Sequence, residues 1–167
     1  MENKKKRGKA VICKVLLLFL YAVIFLFSAQ NGETSSGIST SVSKKGVWLL
    51  DFLTGGHLAA EKLAELVAAI EHPLRKMAHF AEYAVMGILV FRILYCHMEK
   101  GAKRYFAAVL WVFLSAAADE IHQYFVPGRW ASATDVLLDT CGGAVGAFLC
   151  LSVLYLSEKR KIKKQKN

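Results

Sequence analysis

The sequence predicts an all-α integral membrane protein, a four-helix bundle with an extracytoplasmic loop that contains one or two amphipathic helices. Hydrophobic residues make up 55% of the 167 residues and occur in long blocks. About 20 apolar residues cross a bilayer as a helix, so blocks of this length indicate membrane spans. The chain has two prolines and little alternation of apolar and polar residues, which favours helices over strands. Basic residues cluster at three places between and beyond the blocks.

The apolar blocks predict four spans, at about residues 10–28, 77–96, 105–125 and 134–156. The first block follows a basic cluster, as a signal peptide would, but its apolar run is too long and no good cleavage site follows it. We therefore interpret it as a retained span. The four spans predict a single membrane domain, residues 1–167, without a separate soluble domain.

The basic residues predict the orientation of the chain. They cluster in the tails, residues 1–9 and 157–167, and in the turn between the second and third spans, at Lys100, Lys103 and Arg104. Cytoplasmic loops are enriched in Lys and Arg, so both termini are expected to be cytoplasmic in a multi-pass protein of the cell membrane. Topology and attraction to anionic lipid account for the net charge of +9 better than nucleic-acid binding does.

The long loop, about residues 29–76, is expected on the outer side. It begins with a Ser/Thr/Gly-rich stretch, residues 31–43, which we predict to be flexible. An amphipathic helix follows and should lie on the outer membrane surface or cover the mouth of the bundle. We expect Pro73 to end this helix. Its predicted apolar face comprises Ala59, Leu63, Leu66, Val67 and Ile70.

Polar residues of the spans are the strongest functional signal. Ionisable groups inside a membrane are costly and mark functional sites. Helical spacing places His79, Glu82 and Tyr83 on one face, and Asp119 and Gln123 on another. All the polar groups fall in the outer halves of their spans, so we predict that they converge on one outer pocket. Its predicted members are Lys76, His79, Glu82, Tyr83, Asp119, Glu120, Gln123, Arg129, Ser132, Asp135 and Asp139.

The turn between the third and fourth spans, residues 126–134, contains Pro-Gly, which favours a tight turn. Either Ser132 or Thr134 can cap the fourth span. Arg129 is the strong cation of this turn and should face the neighbouring carboxylates. One helical turn below the aspartates, Gly142-xxx-Gly146 removes side-chain bulk and predicts close packing against another helix.

A buried polar network that only locks the helices together is the simplest alternative for these residues. No HExxH or paired-cysteine motif supports a metal site, and we predict no metal or cofactor. The cysteines lie in or beside apolar blocks and are interpreted as buried thiols. They are Cys13, Cys96, Cys141 and Cys150.

Three runs resemble the VanZ-like membrane proteins. The longest and most specific spans residues 119–142, DEIHQYFVPGRWASATDVLLDTCG, and the others are HFAEYAVMG at 79–87 and FSAQNGETS at 27–35. Asp139 stands where Asn is the commoner residue of the family. The resemblance implies a bacterial cell-envelope protein, as in Gram-positive glycopeptide resistance clusters, where the namesake lowers susceptibility to teicoplanin more than to vancomycin. It implies no particular reaction.

Three functions remain open at this point. The outer pocket could bind membrane lipid, a lipid-linked cell-wall precursor or the target of a lipoglycopeptide without catalysis. Alternatively, the protein could be a membrane-embedded hydrolase or transferase in which carboxylates and His79 act as acid and base. No Ser or Cys nucleophile motif supports the second function. A small transporter is the third, although the inner halves of the spans carry no polar path.

Overall fold

A computed structural model describes residues 2–98 and 102–166, which form five α-helices and no strand. The helices are α1 (Glu2–Ser28), α2 (Gly32–Leu53), α3 (Ala60–His97), α4 (Ala102–Tyr124) and α5 (Ala133–Lys166). All but α2 contain stretches that are long and apolar enough to cross a membrane. The predicted all-α class and the four membrane helices are therefore confirmed. Lys100, part of the predicted basic turn, lies outside the described residues.

The predicted flexible stretch, residues 31–43, is helical instead and forms the first half of α2. The side chain of Asn31 caps the helix by accepting a 2.8 Å hydrogen bond from the amide of Thr34. Ser39 donates to helix carbonyls and to Glu71 of α3, and Ser43 is fully buried. Ser39 is compatible with a helix here because the helix backbone and α3 accept hydrogen bonds from its hydroxyl, whereas the buried hydroxyl of Ser43 has no partner among the described residues.

Pro73 does not end the amphipathic helix, contrary to the sequence prediction. That helix and the second span form one continuous helix, α3, with Pro73 inside it. A proline removes a single backbone hydrogen bond, and strong helix formers such as Ala, Leu and Glu precede it. At 38 residues, α3 is about 57 Å long, well beyond the roughly 30 Å hydrocarbon core. The N-terminal part of α3 packs against α2, and we call this pair the α2–α3 hairpin (residues 32–75).

Small residues allow α3 and α5 to pack closely at the centre of the bundle. A Cβ atom at Gly146 would collide with the backbone carbonyl of Ala84, and one at Gly142 would collide with that of Phe80. Gly87 of α3 is equally close to the backbone of Gly143. In lipid, such close backbone approach is a main source of helix association.

The bundle has two distinct ends. We call the end where α1 and α4 finish and α5 begins the polar end, and the opposite end the basic end. Lys9, Lys103 and Lys159 belong to the basic end. Between the ends, Tyr21 of α1 hydrogen-bonds Ser115 of α4 at 2.6 Å. Large apolar side chains cover the outside of the bundle, as expected of helices that face lipid.

Candidate functional site

The turn between α4 and α5 is fastened to the start of α2. Gly128 adopts a left-handed conformation, with φ of 74°, which favours glycine. The amide of Gly32 donates a 3.2 Å hydrogen bond to the carbonyl of Pro127. A Cβ atom at Gly32 would collide with the carbonyl of Gly128. The two backbones therefore touch directly at the polar end.

Arg129 holds the C-terminal end of α1. Its Nη2 donates to the carbonyl of Phe27 at 3.0 Å, and its Nε donates to the carbonyl of Gln30 at 3.1 Å. Its Nη1 donates to Oε1 of Gln123 at 2.8 Å. Within the described part of the chain, no carboxylate lies within 4 Å of its guanidinium. Arg129 thus caps a helix that ends at this point, rather than pairing with the acids that surround it.

Gln123 connects α4 to α1 and to the interior. Its Nε2 donates to Oδ2 of Asp119 at 2.9 Å and to the hydroxyl of Ser28 at 3.3 Å. Both Gln123 and Ser28 are buried. The helical spacing that places Asp119 and Gln123 on one face therefore corresponds to a direct hydrogen bond.

The start of α5 contributes a second set of contacts. Oε2 of Glu120 accepts a 2.7 Å hydrogen bond from the amide of Ser132. The hydroxyl of Ser132 accepts from the amide of Asp135 at 3.3 Å, so Ser132 rather than Thr134 caps the helix. Lys76 of α3 forms a 2.6 Å ion pair with Asp135. This pair joins α3 to α5 at the polar end.

Four further predicted residues lie deeper in the bundle. Nδ1 of His79 is 3.7 Å from Oε2 of Glu82. Tyr83 is completely buried, and Asp139 is 3% exposed. Among the described residues, Oδ1 of Asp139 has no hydrogen-bond partner.

A cavity of about 710 Å³ lies between these elements at the polar end. Side chains from α2, α3, α4, α5 and the turn all line it. The predicted residues in its lining are Lys76, His79, Glu120, Gln123, Arg129, Ser132, Asp135 and Asp139. Most of the predicted set therefore surrounds one space.

Three predicted residues line other cavities. Glu82 lines a smaller cavity of about 210 Å³ between the end of α1, α2 and α3, together with His79 and Arg129. Tyr83 and Asp119 line an apolar crevice of about 560 Å³ on the side of the bundle, between α1 and α4. Helical spacing predicted which residues share a helix face, but it could not show which neighbouring helix each of these three residues meets.

The sequence analysis missed several lining residues, and Arg75 is the most informative. Together with His72, Lys76 and His79 it forms a stripe at i, i+3, i+4 and i+7 that lines the 710 Å³ cavity. The stripe was present in the sequence. It was overlooked because Pro73 was expected to end the helix between His72 and Arg75. Glu33, Ser35, Ser36 and Trp130 also line this cavity.

The comparisons with known proteins place the chain in one family. The family model described as VanZ/LLP1 matches residues 14–155, which include α3, α4 and most of α1 and α5. No curated protein and no solved structure matches the chain. The match includes every lining residue of the polar cavity.

Proposed function

Because the chain belongs to the VanZ/LLP1 family, we propose that it is a cell-envelope membrane protein whose polar end faces outward and binds a cell-wall or lipid component. The observation that carries this proposal is the 710 Å³ cavity, into which five separate segments direct polar side chains. Concave sites with several convergent polar groups are the usual form of ligand sites. A purely structural network would not require an open space at its centre.

The distribution of charge supports the outward orientation of the cavity. Basic residues flank both termini and the turn between α3 and α4, whereas the turn between α4 and α5 contains Arg129 alone. Positively charged loops favour the cytoplasmic side. The cavity then opens toward the outer leaflet, where lipid-linked wall precursors and the targets of lipoglycopeptides reside.

Resistance measurements test this function in cells. The chain is expressed in a glycopeptide-susceptible Gram-positive host, and minimum inhibitory concentrations of teicoplanin and vancomycin are compared. Asp135→Asn removes the charge of one lining residue, and Glu65→Gln, in an exposed ion pair with Lys62, is the matched control. We expect selective teicoplanin tolerance that Asp135→Asn lowers and Glu65→Gln preserves, because a lost charge-assisted contact weakens binding about tenfold or more.

Membrane levels of each variant are measured by blot, so that loss of protein is not mistaken for loss of function. Unchanged susceptibility to both drugs at normal membrane levels would exclude the glycopeptide role. Tolerance that Asp135→Asn leaves intact would exclude the cavity as its source.

A hydrolase or transferase is the second candidate, because His79 and Glu82 lie 3.7 Å apart at the boundary of two cavities. Such a pair could transfer a proton. Catalysis predicts that Glu82→Gln abolishes the cellular function, with the protein still present in the membrane. Binding alone predicts a partial loss.

A further inference from the structure

Arg75 differs from the other cations that line the polar cavity, because its guanidinium has no partner among the described residues. Lys76 pairs with Asp135, and Arg129 donates to two backbone carbonyls and to the side-chain oxygen of Gln123. Arg75 is half-buried, yet within the described residues it makes no hydrogen bond or ion pair. The side chain of Arg75 is only partly buried and lines the cavity, so its five guanidinium donors are available to a ligand.

The position of Arg75 indicates what kind of ligand could bind its guanidinium. Arg75 lies in the wall shared by the 710 Å³ cavity and the smaller 210 Å³ cavity, as do Ser35, His79 and Arg129. The larger cavity is lined mainly by polar side chains. The smaller one has an apolar wall made of Phe27, Ile38, Val42 and Leu74. The two adjoining spaces together have the polarity of an amphipathic molecule.

The charge around the shared wall favours an anion. Arg75 and Arg129 both line it, and neither is paired with a carboxylate of the described chain. Partial burial and, next, the positive charge of Arg75 lower the pKa of Arg129, so the two cations affect each other. Glu82 of the smaller cavity lies beside His79. In the larger cavity Asp135 pairs with Lys76, Glu120 accepts from the amide of Ser132, and Glu33 and Asp139 are two further carboxylates. The excess of positive charge therefore lies at the shared wall and not in the larger cavity as a whole.

We propose that the two cavities form one site for an anionic lipid, with its phosphate bound by Arg75 and the first part of its hydrocarbon in the smaller cavity. This inference rests on the proposed function and names the chemical class of its ligand. A guanidinium binds phosphate through two parallel hydrogen bonds, which suits an arginine whose donors are all unused. The hydrocarbon would leave between α1 and the hairpin and continue into the bilayer.

Thermal unfolding of the purified full chain in detergent tests the site with three matched probes. Phosphatidic acid carries the phosphate and the chains, diacylglycerol carries the same chains alone, and inorganic phosphate supplies the anion alone. A ligand that binds only the folded protein raises Tm in proportion to its affinity. We expect phosphatidic acid to raise Tm saturably, with a Kd about tenfold or more below that of diacylglycerol. Inorganic phosphate should have a much smaller effect.

Four variants separate the two halves of the site. Arg75→Gln should weaken the binding of phosphatidic acid about tenfold or more. Arg75→Lys keeps the charge but lacks the planar guanidinium, so its affinity should lie between those of the wild type and Arg75→Gln. Val42→Trp fills the smaller cavity from a position that is 53% exposed, so it should weaken the lipid but leave inorganic phosphate unaffected. Lys62→Gln, on the same helix in an exposed ion pair, should behave as wild type.

Several outcomes would overturn the proposal. They are equal binding of phosphatidic acid and diacylglycerol, undiminished binding by Arg75→Gln, and stabilisation by inorganic phosphate as large as by phosphatidic acid. If Arg75→Gln fails to fold, wild-type affinity for phosphatidic acid in Val42→Trp would overturn the lipid site. Drug tolerance without lipid binding rejects this inference alone, and lipid binding without a cellular phenotype rejects the proposed function alone.

Discussion

The two ends of the bundle use the same kinds of residue in different ways. At the basic end, Arg104 is 5% exposed, its Nη2 donates to the carbonyl of Met98 at 2.7 Å, and its guanidinium lies 4.7 Å from the centre of the Tyr95 ring. At the polar end, Arg75 lines two cavities and has no partner in the described chain. An arginine whose contacts are internal stabilises the fold, whereas one that is left open is available to a ligand. Burial alone does not distinguish the two.

The largest effect on stability is expected for a substitution in the packing of α3 against α5, on which both ends of the bundle depend. Gly146→Val would push a side chain into the backbone of Ala84 and separate α3 from α5, at a cost of at least about 3 kcal/mol. Thermal unfolding in detergent should show a large loss of stability or of folded protein. Gly46→Val is the control, because no atom lies within 4 Å of a Cβ atom there. Equal stability of the two variants would contradict the packing described here.

Arg129→Ala should have the next largest effect and shows that the polar end also contains structural groups. It removes three hydrogen bonds from a charged donor and leaves the carbonyl of Gln30 without a partner in the described chain, while the carbonyl of Phe27 keeps only the amide of Gln30. The expected loss is about 3 kcal/mol in the free energy of unfolding. Chemical denaturation of the purified protein measures it. Arg129→Lys should recover only part of the loss, because an ammonium lacks the planar fork. If Arg129→Ala left the free energy of unfolding unchanged, the end of α1 would not depend on this cap.

Substitutions of Arg104 and Arg75 should have the smallest effects on stability, and comparing them tests the difference between the two ends most directly. Arg104→Ala removes a hydrogen bond and contacts with two rings and should lower the free energy of unfolding by about 2 kcal/mol. Arg75→Ala, without ligand, should change it by no more than about 0.5 kcal/mol. If Arg75→Ala destabilises the free protein as much as Arg104→Ala does, the distinction between the two ends is wrong.

The sequence predicted the parts of this molecule that depend on local pattern. Apolar blocks identified the four membrane helices, and helical spacing placed Asp119 and Gln123 on one face, where the structure joins them by a hydrogen bond. The parts that depend on distant partners were not predictable. The sequence of residues 31–43 alone indicates a flexible segment, because the hydrogen bond from Ser39 to Glu71 depends on a residue of another helix. Arg75 was missed because Pro73 has different consequences in an isolated helix and in one supported by a partner helix.

The contacts of Arg129 also set the order in which the site can be made. Phe27, whose carbonyl accepts from Arg129, precedes it by 102 residues. Chains are synthesised from the N-terminus, and their parts fold in that order. The end of α1 therefore lacks the Arg129 cap while α2, α3 and α4 are synthesised. The cavity is complete only after the turn that carries Arg129 has been synthesised. Most of the protein must therefore be made before any ligand can bind.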